Sequence, residues 1–104
     1  MRIEWSQTAD RQFLMLLAAI YLENPQAARR LHQRTIQWTR KLRAFPNAGR
    51  KGRFGGTREL FVVGTPFLII YTVQTERVLI DFVLHTSQKW PPDDGEADPA
   101  DAFP

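Results

Sequence analysis

Cysteine is missing from the 104 residues, so disulfides, cysteine-ligated metal sites and thiol catalysis are all excluded. No uninterrupted apolar stretch approaches the roughly 20 residues that cross a bilayer. The start, MRIEWSQTADR, carries charge inside its first ten residues, where a signal peptide would place an apolar run. A cytoplasmic protein without membrane contact is the expectation. Carboxylates are absent from the whole span between Glu23 and Glu59, which nonetheless holds Arg29, Arg30, Arg34, Arg40, Lys41, Arg43, Arg50, Lys51, Arg53 and Arg58. Beyond Trp90 the shortage reverses: residues 91–104 carry Asp93, Asp94, Glu96, Asp98 and Asp101 and no base.

What is present fits one globular domain: 43% hydrophobic and 24% charged residues, at a length near the common domain size. The net charge of +3 conceals an asymmetry. Residues 1–90 contain all 14 Lys and Arg against six carboxylates (Glu4, Asp10, Glu23, Glu59, Glu76 and Asp81), a surplus of eight positive charges. Such a field favours an acidic partner, either nucleic acid or an acidic protein segment. The tail from Pro91 has four prolines, five acids and little to bury, and is expected to be disordered.

Residues 1–5 alternate, with Met1, Ile3 and Trp5 on one side, which predicts a short first strand. Ser6 is placed to cap a helix from about Thr8 to Glu23. Phe13, Leu16, Leu17, Ile20 and Tyr21 recur there at helical spacing; Leu14, Met15 and Leu22 make the helix apolar on more than one side, so that burial under a sheet is the preferred expectation and apolar surface offered to a partner the alternative. Asn24-Pro25 starts a second helix, because proline fits the first helical position. Ala28, Leu31, Thr35, Trp38 and Leu42 form its inward stripe to about Ala44. So short a break implies an antiparallel helical hairpin.

Residues 47–56, NAGRKGRFGG, read as a glycine-rich basic loop suited to contacting phosphate. Three strands follow at about 58–63, 67–73 and 77–85, and connections this short make them antiparallel neighbours. On the last, parity places Val78, Ile80, Phe82 and Leu84 on the helix side and Asp81 with His85 on the outward side. The fold class is α+β, β-α-α-β-β-β, with the helical hairpin packed on one face of a small antiparallel sheet.

This order, together with Ala9-Asp10, Asn24-Pro25-x-Ala27-Ala28-x-x-Leu31, Pro46-x-x-Gly49-Arg50-x-Gly52-Arg53, Gly56-Thr57-Arg58-Glu59-Leu60, Gly64-Thr65-Pro66-Phe67 and Val83-Leu84-His85, resembles the RelE/ParE superfamily of toxins from bacterial type II toxin–antitoxin modules. The resemblance covers residues 1–90 and leaves 91–104 as a separate acidic tail. It implies a growth-inhibiting toxin neutralised by an acidic, extended antitoxin, with no cofactor and no metal. The candidates for holding that antitoxin are Arg30, Arg34, Lys41 and Leu17 on the helices, with Trp90.

The superfamily divides into ParE-like inhibitors of DNA gyrase and RelE-like enzymes that cut messenger RNA on the ribosome. Cutting RNA requires a proton acceptor, a proton donor and cations at the phosphate. His85, with Arg53 and Arg58, would supply these in a RelE-like reading, while Arg50, Lys51, Arg53 and Lys89 are the candidates for binding phosphate or the target. Against catalysis, Phe67–Val73 carries no base, where several ribonuclease members have an arginine. No tyrosine segment follows His85 either. Gyrase inhibition is the preferred reading, RNA cleavage the alternative, and a non-toxic nucleic-acid-binding module the second alternative.

Overall fold

The computed structural model describes residues 1–88 and Trp90; the expectations for Lys89 and for the tail 91–104 fall outside the described residues. Strand β1 (Arg2–Trp5) leads into helix α1 (Gln7–Glu23) and helix α2 (Pro25–Lys41). Strands β2 (Arg50–Lys51), β3 (Thr57–Phe61), β4 (Phe67–Val73) and β5 (Arg77–His85) follow. They form one sheet in the order β1-β5-β4-β3-β2.

The helix boundaries follow from local chemistry. Ser6 is extended, and its hydroxyl accepts from the Ala9 amide at 2.9 Å while donating to the Asp81 carbonyl at 2.9 Å. One residue therefore caps α1 and ties it to β5. Asn24 serves both helices: its amide donates to the Ile20 carbonyl, and its side chain accepts from the Ala27 amide at 3.1 Å. Helix α2 ends three residues before the expected Ala44, because the amides of Leu42, Arg43 and Ala44 bond three residues back and tighten the chain into turns.

Two sheet features differ from expectation. Arg50–Lys51, read as loop, pairs antiparallel with Arg58–Glu59 and adds a fifth strand. The pairing of β1 with β5 is parallel, whereas β2/β3, β3/β4 and β4/β5 are antiparallel. The crossover through both helices lets β1 run alongside β5 in the same direction.

A β-bulge overturns the parity expected of the last strand. Ile70 lies opposite Phe82 and Tyr71 opposite Ile80, so Asp81 has no partner on β4. One side of the sheet packs Leu60, Val62, Phe67, Ile69, Tyr71, Val78, Ile80 and Val83 against Ala9, Phe13 and Leu42 of the helical layer. The other side gathers Leu68, Ile70, Leu84 and Trp90 with Phe54 and Phe82. Phe82 and Leu84 thus face away from the helices, and His85 comes into phase with Val83 and Phe67 rather than with Asp81. The bulge is braced by α1, where Gln12, itself buried, accepts from the Val83 amide at 2.8 Å beyond the end of β1.

The stripe read for α2 is present: Ala28, Thr35 and Leu42 are buried, and Leu31 and Trp38 pack against the core. Helix α1 departs from expectation. Its buried residues are Ala9, Gln12 and Phe13, while Leu14, Met15, Tyr21 and Leu22 are exposed, Leu22 at 85%. The helix is apolar on more sides than the sheet covers. No helix among the described residues is long and apolar enough to cross a membrane.

Candidate functional site

The basic loop is a pinned platform. Tyr71, fully buried on β4, accepts from the Gly49 amide at 2.8 Å and donates to the Pro46 carbonyl at 2.8 Å. Burial pushes its phenol above the usual value, while the Gly49 bond and the nearby Arg58 charge pull the other way. Glycine is required at 49: a Cβ there would stand 2.8 Å from the Glu59 carbonyl and 2.8 Å from the Tyr71 hydroxyl. Glu59, 3% exposed, takes the Arg50 guanidinium through two nitrogens at 2.8 and 3.1 Å and accepts from the Arg53 amide at 3.4 Å. Arg58 donates to the Gly49 carbonyl at 2.8 Å.

Strand alternation sorts these charges between the faces of the sheet. Glu59 lies opposite Ile70, so Arg50, which pairs with it, belongs to the face away from the helices. There the Arg50 guanidinium sits 5.2 Å from the ring centre of Phe61, a half-exposed aromatic. Arg53 reaches the same face, donating to the Trp90 carbonyl at 3.3 Å. Trp90 folds back onto the sheet between Phe54 and Phe82, with ring centres 5.5 and 5.4 Å away. Lys51 is exposed at the edge. Arg58, opposite Tyr71, belongs to the helix side.

His85 stands apart from this platform. Its Nδ1 accepts from the Ser87 amide at 3.0 Å and lies 2.7 Å from the Ser87 hydroxyl, so in the neutral ring the proton sits on Nε2. His85 pairs with Phe67 and Arg58 with Tyr71, four residues further along β4, about 13 Å at strand spacing. The expected trio of His85, Arg53 and Arg58 is therefore not brought together: Arg53 occupies the other face and Arg58 the other end. Asp81, freed by the bulge, accepts from the Thr72 hydroxyl at 2.6 Å. Burial raises its carboxyl above the usual value, against opposing effects of Thr72 and Arg77. Among the described residues no group of His, Asp and Glu is arranged to hold a metal ion.

The exposed apolar residues of α1 line a groove of about 560 Å³ between the helices. Leu14, Leu17, Tyr21 and Leu22 line one wall, and Ala28, Arg29 and His32 the other. His32 stacks on Phe13, ring centres 5.6 Å apart. Arg30 and Arg34 flank a smaller cleft of about 260 Å³ that runs to Gly64. Arg34 donates to the Val63 carbonyl at 3.3 Å across Gly64, whose φ of +81° favours glycine. Lys41 lies over the Trp38 ring at 4.3 Å. Leu17, Arg30 and Arg34 are thus all on the helical layer, whereas Trp90 lies across the sheet from them.

Sequence reading missed Glu59, Tyr71 and Gln12 as the residues that fix the loop and the bulge. Glu59 was the most detectable, as the lone carboxylate between Glu23 and Glu76. Residues 3–90 match the family model described as ParE toxin of type II toxin-antitoxin system, parDE. A curated relative from Sinorhizobium fredii (strain NBRC 101917 / NGR234), named "Putative toxin Y4kP", is 36% identical over 90 residues, spanning 86% of this chain and 93% of its own length. A solved structure titled "Chromosomal ParDE TA system from P. aeruginosa" superposes with a TM-score of 0.74 at 20% identity, over 82% of this chain and 95% of that one. At that identity the likeness speaks for the fold.

Proposed function

Because the chain belongs to the ParE toxin family of type II toxin–antitoxin systems, we propose that it arrests growth by binding DNA gyrase, through contacts alone, until an antitoxin covers it. The observation carrying this reading is the dispersal of the acid–base and phosphate-binding candidates. His85 is engaged by Ser87, Arg53 is on the face away from the helices, and Arg58 holds the Gly49 carbonyl. General acid–base cleavage of RNA needs these groups within hydrogen-bond reach of one phosphate. Binding asks only for a fixed surface, and the loop pinned by Tyr71 and Glu59 offers one.

The antitoxin's place, in this reading, is the groove between α1 and α2. Exposed Leu14, Tyr21 and Leu22 suit the apolar face of a partner segment, and Arg29, Arg30 and Arg34 suit its acids. The test pairs two assays on the purified chain: supercoiling of relaxed plasmid by gyrase, and cutting of messenger RNA on programmed ribosomes. Inhibited supercoiling with intact message is the expected result. Message cut in the ribosomal A site, with supercoiling untouched, would transfer the function to the ribonuclease branch.

A further inference from the structure

The solvent side of α2 is the chemical opposite of its inward stripe. Arg30, Gln33, Arg34, Gln37, Arg40 and Lys41 are all exposed, and at helical spacing they fall within an arc of about 120°. Ala28, Thr35 and Thr39 are buried on the other side of the helix. No carboxylate stands on α2 or between it and Glu59. The ion pairs among the described residues, Arg2–Glu4, Arg77–Glu4 and Arg50–Glu59, leave the helix out. Two of its cations are already ordered: Arg34 commits one guanidinium nitrogen to the Val63 carbonyl at 3.3 Å, and Lys41 lies 4.3 Å from the centre of the Trp38 ring. Arg30, Gln33, Arg34 and Gln37 also line the cleft of about 260 Å³ that runs to Gly64.

We infer that this face of α2 is a binding surface for duplex DNA, with Arg30, Arg34, Arg40 and Lys41 on phosphates and Gln33 and Gln37 towards the groove between them. Arg30 and Lys41 stand about 16 Å apart along the helix axis, enough to reach phosphates on both sides of a major groove about 12 Å wide. Glutamine carries a donor and an acceptor, so it bonds phosphate oxygens and base edges alike. The major groove of A-form RNA is deep and narrow, and side chains do not read it. A protein segment would seek apolar anchors beside the charges, and these six positions offer none; Leu14, Tyr21 and Leu22 belong to the neighbouring groove. DNA binding here goes beyond the proposed action on gyrase and does not rest on it. An antitoxin drawn to Arg30 and Arg34 would compete with DNA for them.

Fluorescence anisotropy of a short labelled DNA duplex, titrated with the purified full chain, tests this. The logarithm of the binding constant is expected to fall with the logarithm of salt at a slope of about −3 to −4, the value for four phosphate contacts. Arg30→Gln with Arg34→Gln should weaken binding at least about tenfold at about 50 mM salt and make the slope shallower by about two. Arg30→Gln with Arg40→Gln gives the same reading should loss of the Val63 contact unfold the first variant. In the isotope-labelled chain, added duplex should shift the amides of Arg30, Gln33, Arg34 and Gln37 and leave those of Arg50, Arg53 and Arg58 in place. No binding at about 50 mM salt, a slope unchanged in both variants, shifts centred on residues 50–58, or equally tight binding of duplex RNA or poly-glutamate would each overturn the inference. No gyrase enters these measurements, so DNA binding can fail while supercoiling is still inhibited, and the reverse.

Discussion

Removing the Tyr71 hydroxyl takes the partner from two backbone groups at once, the Gly49 amide and the Pro46 carbonyl. Tyr71→Phe is expected to destabilise the domain by about 1–3 kcal/mol, read from the denaturant midpoint at constant m-value. A change under about 0.5 kcal/mol, the range of ordinary surface substitutions, would mean that the loop is held elsewhere. Asp81 gives a pH test. Its folded-state carboxyl lies above the ordinary value of 3.8, chiefly through burial, so the native state binds its proton more tightly than the unfolded chain does. Stability attached to this group is therefore full below 3.8 and lost as pH rises through the higher folded value. Asp81→Asn should be more stable than the parent at neutral pH, with the difference disappearing in acid; equal stability throughout would contradict it. At this scale the caps were legible, since Ser6 and Asn24-Pro25 do locally what their chemistry dictates. Gln12 was not, because its partner, the Val83 amide, is 71 residues away.

At the scale of elements, the helical hairpin and three of the strands were written in spacing alone. The fourth strand was found too, but its facing was misread beyond Asp81. One unpaired residue there reverses the phase of everything after it, and nothing in the alternation of Val78 to His85 betrays a bulge. β2 escaped because two residues cannot display a period. The exposed wall of α1 was visible as surplus apolar residues, yet whether a sheet or a partner covers such a wall is a question of layer width, which spacing does not encode. The groove predicts its own test. Leu14→Glu with Leu22→Glu, both at exposed positions, should leave the melting temperature nearly unchanged. Antitoxin affinity should fall at least about tenfold, equivalent to about 1.4 kcal/mol. Unchanged affinity in a folded double variant would move the antitoxin off the groove.

Over the whole molecule, the charge map was the clearest signal in the sequence. The helical layer presents Arg29, Arg30 and Arg34, the opposite face presents Arg50 and Arg53, and the acids that balance them are concentrated after Trp90. Association with an acidic antitoxin should consequently slow steeply with added salt, most of all between low ionic strength and about 0.15 M, where the Debye length is about 8 Å. A rate flat across that range would remove electrostatic steering from the account. The central claim is that arrest comes from a surface and not from proton transfer. Growth of cells expressing the chain without antitoxin, compared with cells expressing His85→Ala at equal level, measures this most directly. Equal arrest by both is the predicted result; full growth with the folded His85→Ala variant would contradict it.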